Sequence, residues 1–573
     1  MTFISPPTPL RVCAWSTLCK QLLARLQALI PLITDICRIA GTPGLSLGVL
    51  HHGQVVYQAN VGFRNVEAEL PTDNDTVYMI ASLAKPLTAA MVGILVDEGK
   101  LDWTTQLQDV VPEFHRQDAA MNITVTDLLS HRTGLPSYDA LWLLTDNKIL
   151  LDRADAISIL NYVPAAMPLR TEFVYNNMAY EALSQIIEKA SGTDYASFLR
   201  DRILEPLGMS QTFHPHPPMD DANVAVPYTA LRNATPFQIP QPLCDRNILL
   251  GPSGGIRSSV RDMLLLYKAF IDAARAEFGR FATTTVPQNP LKRMKYLWRG
   301  MISLSVPTLR EYSYASGWFR AQLPAPPPLV YDDGPGINPL IGEGLPSRLA
   351  LLHGGFFAGF TSWAAVFPET DSAVVVLSNS MPLADTTRLV GQLLIEELFG
   401  NTINKTQYIE YVKSTSERIG SYMSRIKSDL LRHKTVETPA YPLQAYVGTY
   451  YNAVGNVYIE ICETPSGRLR MYFMGSASDG FDLKPYQHNS FFWWMSHDEM
   501  AQRSRYTTWP KEYYIIKFEH VDDGSGARGV FGSPINSLRW KHEFAIDDDG
   551  ELFQKSDYEE MSGLYEQQQS LFG

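Results

Sequence analysis

The chain has 573 residues, 45% hydrophobic and 19% charged, with a formal net charge of −12. That length exceeds what one hydrophobic core organises and predicts two or three domains. The acidic balance, without any basic stripe interleaved with aromatics, excludes a nucleic-acid binder. The cysteines Cys13, Cys19, Cys37, Cys244 and Cys462 are scattered and lack CxxC or CxxH spacing. They indicate neither a disulfide framework nor a zinc site, and predict a reducing, cytoplasmic setting.

The opening MTFISPPTPLRVCAW has no basic segment leading into an unbroken apolar run, so no secretion signal is read there. From Trp15 to Ile36 the leucine-rich sequence is interrupted by Lys20, Arg25, Pro31 and Asp35, which excludes a membrane span. Residues 1–39 are expected to form an N-terminal helical segment packed on the body. GLSLGVLH and QVVYQANVGF flank His52-Gly53 and predict a β-hairpin. Next comes YMIASLAKPLTAAMVG, residues 78–93. From Pro86 onward its apolar residues recur at helical spacing, and Gly99 stops the helix.

Between about 100 and 300 helices joined by Pro- and Gly-containing loops are expected, among them NNMAYEALSQIIEKASG ending on Gly192. Residues 321–346 are Pro/Gly-rich and predict one long loop. RLALLHGG, FTSWAAVFPE and SAVVVLSNS then read as three consecutive antiparallel strands, closed by a helix in TRLVGQLLIEELFG. A charged helical linker, 401–440, leads to short aromatic-rich strands at regular spacing. These predict a small antiparallel barrel or sandwich over 441–573.

Three motifs carry candidate chemistry. Ser82 and Lys85 are three apart and share one helical face. A serine hydroxyl needs a neighbouring base, and a lysine serves as one only when burial or a nearby cation lowers its pKa. Alone, Ser82 reads equally as a helix N-cap, and Ser424-x-x-Lys427 matches the same spacing by chance. In FVYNNMAY, Tyr175 and Asn177 stand just before a helix. The phenol can relay a proton, and the amide can hold a substrate carbonyl or the lysine. Alone, Tyr175 reads as a buried aromatic. In LLHGGFFAGF, Gly354 and Gly355 weaken a strand unless something approaches its backbone closely. A substrate lying along that strand, its oxyanion on main-chain N–H groups, would be such a reason.

In this order the three motifs resemble the penicillin-recognising serine hydrolases, a superfamily of class C β-lactamases, D,D-peptidases, esterases and lovastatin-type acyltransferases. TVTDLLSHRTGLPS (124–137), ILEPLGMSQTF (203–213) and GPSGGIRSSVRDM (251–263) add to the likeness, which spans about 40–400. The resemblance implies an α+β, β-lactamase/transpeptidase-like catalytic domain over 40–400: an antiparallel sheet flanked by helices, plus a helical region. Residues 441–573 are similar to the lipocalin-like barrel appended to some members, where covering the cleft, restricting substrates or mediating homo-oligomerisation are all open.

By motif position Ser82 would be the nucleophile, Lys85 and Tyr175 the coupled proton-transfer pair, and Asn177 a substrate-positioning group. His353, Gly354, Gly355 and Phe356 would line the substrate, with the N–H groups of Ser82 and Phe356 as oxyanion hole. His353 stands where β-lactamases carry lysine, and a histidine of ordinary pKa, about 6.5, is mostly neutral at pH 7. That moves the expected substrate from β-lactams toward esters, thioesters or neutral amides of a small, largely apolar molecule. No cofactor and no metal are implied. The alternatives are a β-lactamase or D-amino-acid peptidase, and a non-catalytic binding protein that keeps the fold. A likeness to fungal members associated with secondary metabolites is also noted.

Overall fold

The computed structural model describes residues 17–142, 147–217, 223–242, 249–279, 289–328, 339–401, 404–505, 508–520 and 535–556. Two helices lead, α1 (Thr17–Gln27) and α2 (Ile30–Ala40), and Gly41 in the left-handed conformation ends the second. Leu32, Ile33, Ile36 and Cys37 of α2 recur at helical spacing and are buried. The predicted hairpin follows as β1 (Gly44–His51) and β2 (Gln54–Asn65), extended by β3 (Leu70–Pro71).

The remaining strands of this sheet come from 230 residues further on: β4 (Ile302–Ser303), β5 (Tyr312–Tyr314), β6 (Phe319–Leu323), β7 (Arg348–Phe357), β8 (Phe360–Phe367) and β9 (Ser372–Ser378). All pairings are antiparallel, in the order β3-β2-β1-β9-β8-β7-β6-β5-β4. The sheet is therefore closed by both ends of the catalytic region, as the resemblance implies. The predicted loop over 321–346 needs one correction. Its first three residues belong to β6, because FRAQL alternates buried and half-buried side chains and pairs with Arg348–Leu352. Residues 329–338 of that loop lie outside the described residues.

Both faces of the sheet are covered, which is why β9 is buried throughout. Between β3 and β4 lie α3 (Lys85–Asp97), α4 (Asn177–Ser191) and α5 (Val260–Phe278); α6 (Thr386–Leu398) follows β9. The helix α3 is buried continuously from Lys85 to Leu95 and forms the centre of the helical region. A β-carbon on Gly48 of β1 would lie 2.7 Å from Leu264 of α5, and one on Gly391 of α6 would lie 2.2 Å from the Trp363 ring. These glycines let the helices seat on opposite faces.

The predicted linker helix is α7 (Lys405–His433). Its buried residues Tyr408 and Val412 join the core under α2 and the sheet, while Met423 and Leu430 join the core shared with the C-terminal strands. The chance Ser424-x-x-Lys427 match lies on this helix, with the Lys427 ammonium 4.2 Å from the centre of the Trp494 ring. The C-terminal part is a nine-stranded antiparallel sheet. Its two end strands, Gly480–Asp482 and Lys484–Gln487, are separated by one residue, so the sheet curls into a nearly closed, lipocalin-like barrel. No described helix is long and apolar enough to cross a membrane.

Candidate active site

Ser82 lies in a 3-10 turn, Ala81–Ala84, that runs directly into α3. It is not the cap the isolated motif allowed: the cap position is Ile80, with no side-chain capping bond. Ala81, the residue before the serine, has φ of 47°, a left-handed conformation costly for a residue with a β-carbon. Three contacts hold the turn there. Ile80 N–H donates to Ile256 O at 3.0 Å, Ser362 Oγ donates to Ile80 O at 2.7 Å, and β7 packs on the turn beside Ser362, at its cross-strand partner Gly355.

That last contact explains Gly355. A β-carbon there would lie 2.3 Å from Ser362 Oγ, 2.5 Å from Ile80 O and 3.0 Å from Ala81 Cβ. The close approach predicted for this strand is made at Gly355 by the nucleophile turn.

Lys85 Nζ, wholly buried, has three oxygen neighbours: Ser82 Oγ at 3.0 Å, Asn177 Oδ1 at 2.9 Å and Ser253 O at 2.9 Å. An ammonium donates to all three. A neutral amine donates to Asn177 and Ser253 and turns its lone pair to the Ser82 hydroxyl. Burial pushes the Lys85 pKa down to about 7, against the attraction of Asp139, so both forms are accessible near neutrality. Tyr175 OH donates to Ser82 Oγ at 2.9 Å, and the Lys85 ammonium sits 4.7 Å from the centre of its ring. Burial drives the Tyr175 pKa up, only partly offset by the bond to Ser82, so it stands as a phenol.

Tyr175 is positioned by His131 of the SHRTG segment. His131 O accepts from Val174 N–H at 2.8 Å, and its Nδ1 accepts from Asn176 N–H at 3.1 Å, pinning the backbone on both sides of the tyrosine. Asn177 opens α4, and its amide is fully engaged: Oδ1 accepts from Lys85, and Nδ2 donates to both oxygens of Asp139 at 3.1 Å. Of the two roles read from the sequence, the amide takes the one of holding the lysine.

His353 lines the cleft, but its nitrogens are committed elsewhere. The Nδ1–H donates to Gly354 O at 2.6 Å and Nε2 accepts from Tyr314 OH at 3.1 Å, the only tautomer a carbonyl partner permits. Burial, then the charge of Lys85, lowers its pKa to about 3. It lines the cleft as a neutral imidazole, in keeping with its reading as an uncharged residue at this position.

The constellation opens into a cleft of about 760 Å³. Its walls are mostly apolar: Leu304, Val306 and Pro307; Pro326, Pro327, Pro328 and Leu340 of the Pro-rich loop; Phe356 and Phe357 of β7. Trp509 of the barrel completes them. Asp139 is the one formally charged side chain among the described lining residues. No motif signalled Asp139, Ser253 or Trp509, although the glycine-dense GPSGG run marks the backbone around Ser253 as closely approached. Among the described residues no group of three or more His, Cys, Asp or Glu side chains could hold a metal ion.

A buried amine on a serine hydroxyl, at the floor of a cleft in a sheet-and-helix fold, defines a serine hydrolase of the β-lactamase kind. The family model described as Beta-lactamase matches residues 26–396, and the chain belongs to that family. A second model, a domain of unknown function (DUF3471), matches residues 432–561. The chain is 24% identical to an unguisins hydrolase of Aspergillus violaceofuscus over 439 residues, 72% of each chain. It is 24% identical to protein flp of Staphylococcus aureus over 345 residues, 59% of each. Among solved structures it is similar in fold to an octameric penicillin-binding protein homologue from Pyrococcus abyssi. That likeness has a TM-score of 0.54 at 20% identity, and covers 93% of this chain and 100% of the other.

Proposed function

We propose that the protein hydrolyses an ester, thioester or amide of a small, largely apolar metabolite through an acyl-enzyme on Ser82. The observation that carries this reading is Lys85 Nζ, held 3.0 Å from Ser82 Oγ by two further acceptors and brought near neutrality by burial. In acylation the neutral Lys85 amine takes the Ser82 proton as Oγ bonds to the substrate carbonyl carbon. By motif position the backbone N–H groups of Ser82 and Phe356 would receive the developing oxyanion. Collapse of the tetrahedral adduct breaks the bond to the leaving group, which receives the proton from Lys85 through the Tyr175 hydroxyl. Water then attacks the acyl carbon and gives its proton to Lys85, which passes it to Ser82 Oγ as the acyl–Oγ bond breaks and the acid is released.

The apolar walls and the absence of a cation among the described lining residues favour a neutral substrate over one with a carboxylate, such as a β-lactam. The likeness to an unguisins hydrolase supports hydrolysis over acyl transfer; a place in secondary metabolism rests on the resemblance to fungal members of the family. Incubation with a fluorophosphonate or an activated ester, followed by intact-mass measurement, is expected to show one adduct on Ser82 and none in Ser82→Ala. Equal labelling of the variant, or no adduct on the wild type, would overturn the proposal and favour a binding protein. Rapid nitrocefin turnover would move the substrate back to β-lactams.

Trp509 supplies part of the apolar wall. Trp509→Ala is expected to raise KM for an apolar ester about tenfold with little change in kcat, as loss of uniform binding does. Steady-state kinetics with esters of increasing acyl length checks this, and a purely kcat effect would contradict it.

A further inference from the structure

Between the serine site and the barrel runs Ser137-Tyr138-Asp139, which starts at the last residue of TVTDLLSHRTGLPS and continues beyond every motif. Tyr138 has φ of 51°, left-handed backbone in a bulky residue, which persists only where the surroundings enforce it. The surroundings here are the C-terminal barrel. The Tyr138 N–H donates to Glu543 Oε2 at 3.2 Å, and its ring meets the His542 ring edge-on at 4.9 Å. His542 is in turn fixed by Glu551, Nε2 to Oε2 at 2.6 Å.

The flanking residues of this strained position turn toward the catalytic helix. Ser137 Oγ accepts from Asn177 N–H at 2.9 Å and donates to Asp139 Oδ1. Both Asp139 oxygens accept from Asn177 Nδ2, and Asn177 Oδ1 accepts from Lys85. Two sets of hydrogen bonds, joined by the covalent backbone of residues 137–139, thus link Glu543 in the barrel to the amine beside Ser82.

We infer that the barrel is a working part of the active site: by enforcing the left-handed turn at Tyr138 it presents Asp139 to Asn177, and Asp139 acts through Asn177 as a positioning residue for Lys85. The inference rests on the proposal that Ser82 is acylated, and it gives the DUF3471-matching region a role in this chain. Electrostatics agree with the geometry. The titratable groups around Lys85 are Asp139, Tyr175, Tyr180, His131 and His353. Burial keeps both tyrosines as phenols and both histidines neutral, which leaves Asp139 as the charge that the amine feels. Asp139 itself faces Glu543 and Lys85; burial foremost, then Glu543, raises its pKa, while bonds from Ser137 and Asn177 and the charge of Lys85 oppose the rise.

The test reads the pH dependence of Ser82 acylation by an activated ester in the full chain. Asp139→Asn keeps the shape and removes the charge that favours the ammonium, so the midpoint of the rate-against-pH curve is expected to fall by about one pH unit. Asp139→Ala removes the same charge and also frees Asn177, so its midpoint is expected to fall likewise and its plateau rate above the midpoint to drop severalfold. Glu543→Ala is expected to lower the rate severalfold in the wild-type background and to have no further effect in Asp139→Ala, because both act through one route. An unmoved midpoint in a folded Asp139→Asn protein would overturn the role of Asp139. Additive losses in the double variant would overturn the role of the barrel. Either failure leaves wild-type labelling of Ser82 intact, whereas failure of the functional proposal abolishes the label itself.

Discussion

Lys85→Met is expected to slow acylation of Ser82 about 1,000-fold, within the range a positioned general base contributes. Methionine follows the length of the lysine stem and fills the same buried volume, so the loss reads out the amine rather than a cavity. The wild-type rate should fall about tenfold per pH unit below about 7, because only the neutral amine accepts the serine proton and burial sets its pKa there. His353, lowered to about 3, and Tyr175, raised, contribute no titration in that window. Stopped-flow acylation from pH 5 to 9, with thermal unfolding to confirm that the variant is folded, checks both statements. A folded Lys85→Met protein acylated at a wild-type rate would place the base elsewhere.

Gly355→Ala is the second large effect. The added carbon must intrude on Ser362 Oγ and on Ile80 O, and the carbonyl is main chain of the turn that carries the nucleophile. Strand and turn have to part by several tenths of an ångström. Overpacking of this kind costs roughly 1–3 kcal/mol of stability, and misplacing a nucleophile by a fraction of an ångström to one ångström costs about 100-fold in rate. Gly254→Ala is the contrast. Its new carbon would meet Leu250 at 3.4 Å and Ala81 Cα at 3.6 Å, ordinary contacts, and a smaller loss of rate is expected. Chemical denaturation and acylation kinetics of the two variants decide the matter. Equal rates for Gly355→Ala and the wild type would show that the strand does not hold the nucleophile turn.

What the sequence revealed about this site divides along a physical line. Ser82 with Lys85, and Tyr175 with Asn177, are short-range patterns: a few residues of chain fix their relative geometry, so spacing alone brings them into consideration. The hairpin, the strand trio and α4 were legible for the same reason, through period and turn residues. Asp139 and Trp509 reach the cleft only through tertiary packing, and no local rule marks a lone aspartate in LPSYDA or a tryptophan before a proline. Gly355 was legible as a constrained glycine, but what constrained it was not, since the partner turn lies more than 270 residues away. His353 shows the limit most directly. Its type suggested a neutral cleft, while the loss of both nitrogens to Gly354 and Tyr314 depends on β5 lying two strands from β7.

The apolar core also carries a lesson about the two family models. They meet the chain at 26–396 and 432–561, as if a catalytic unit had been followed by an accessory one. Yet one continuous cluster of buried residues runs from Leu87 and Met91 of the nucleophile helix to Ile459 and Trp540 of the barrel. Strands and helices that share a core are expected to lose their packing together, and the 29-residue helix α7 packs on both sides of the junction. The boundary between the two models is therefore not expected to be a boundary of unfolding: calorimetry and near-UV spectroscopy of the full chain should report one coincident transition, and two separated transitions would contradict it.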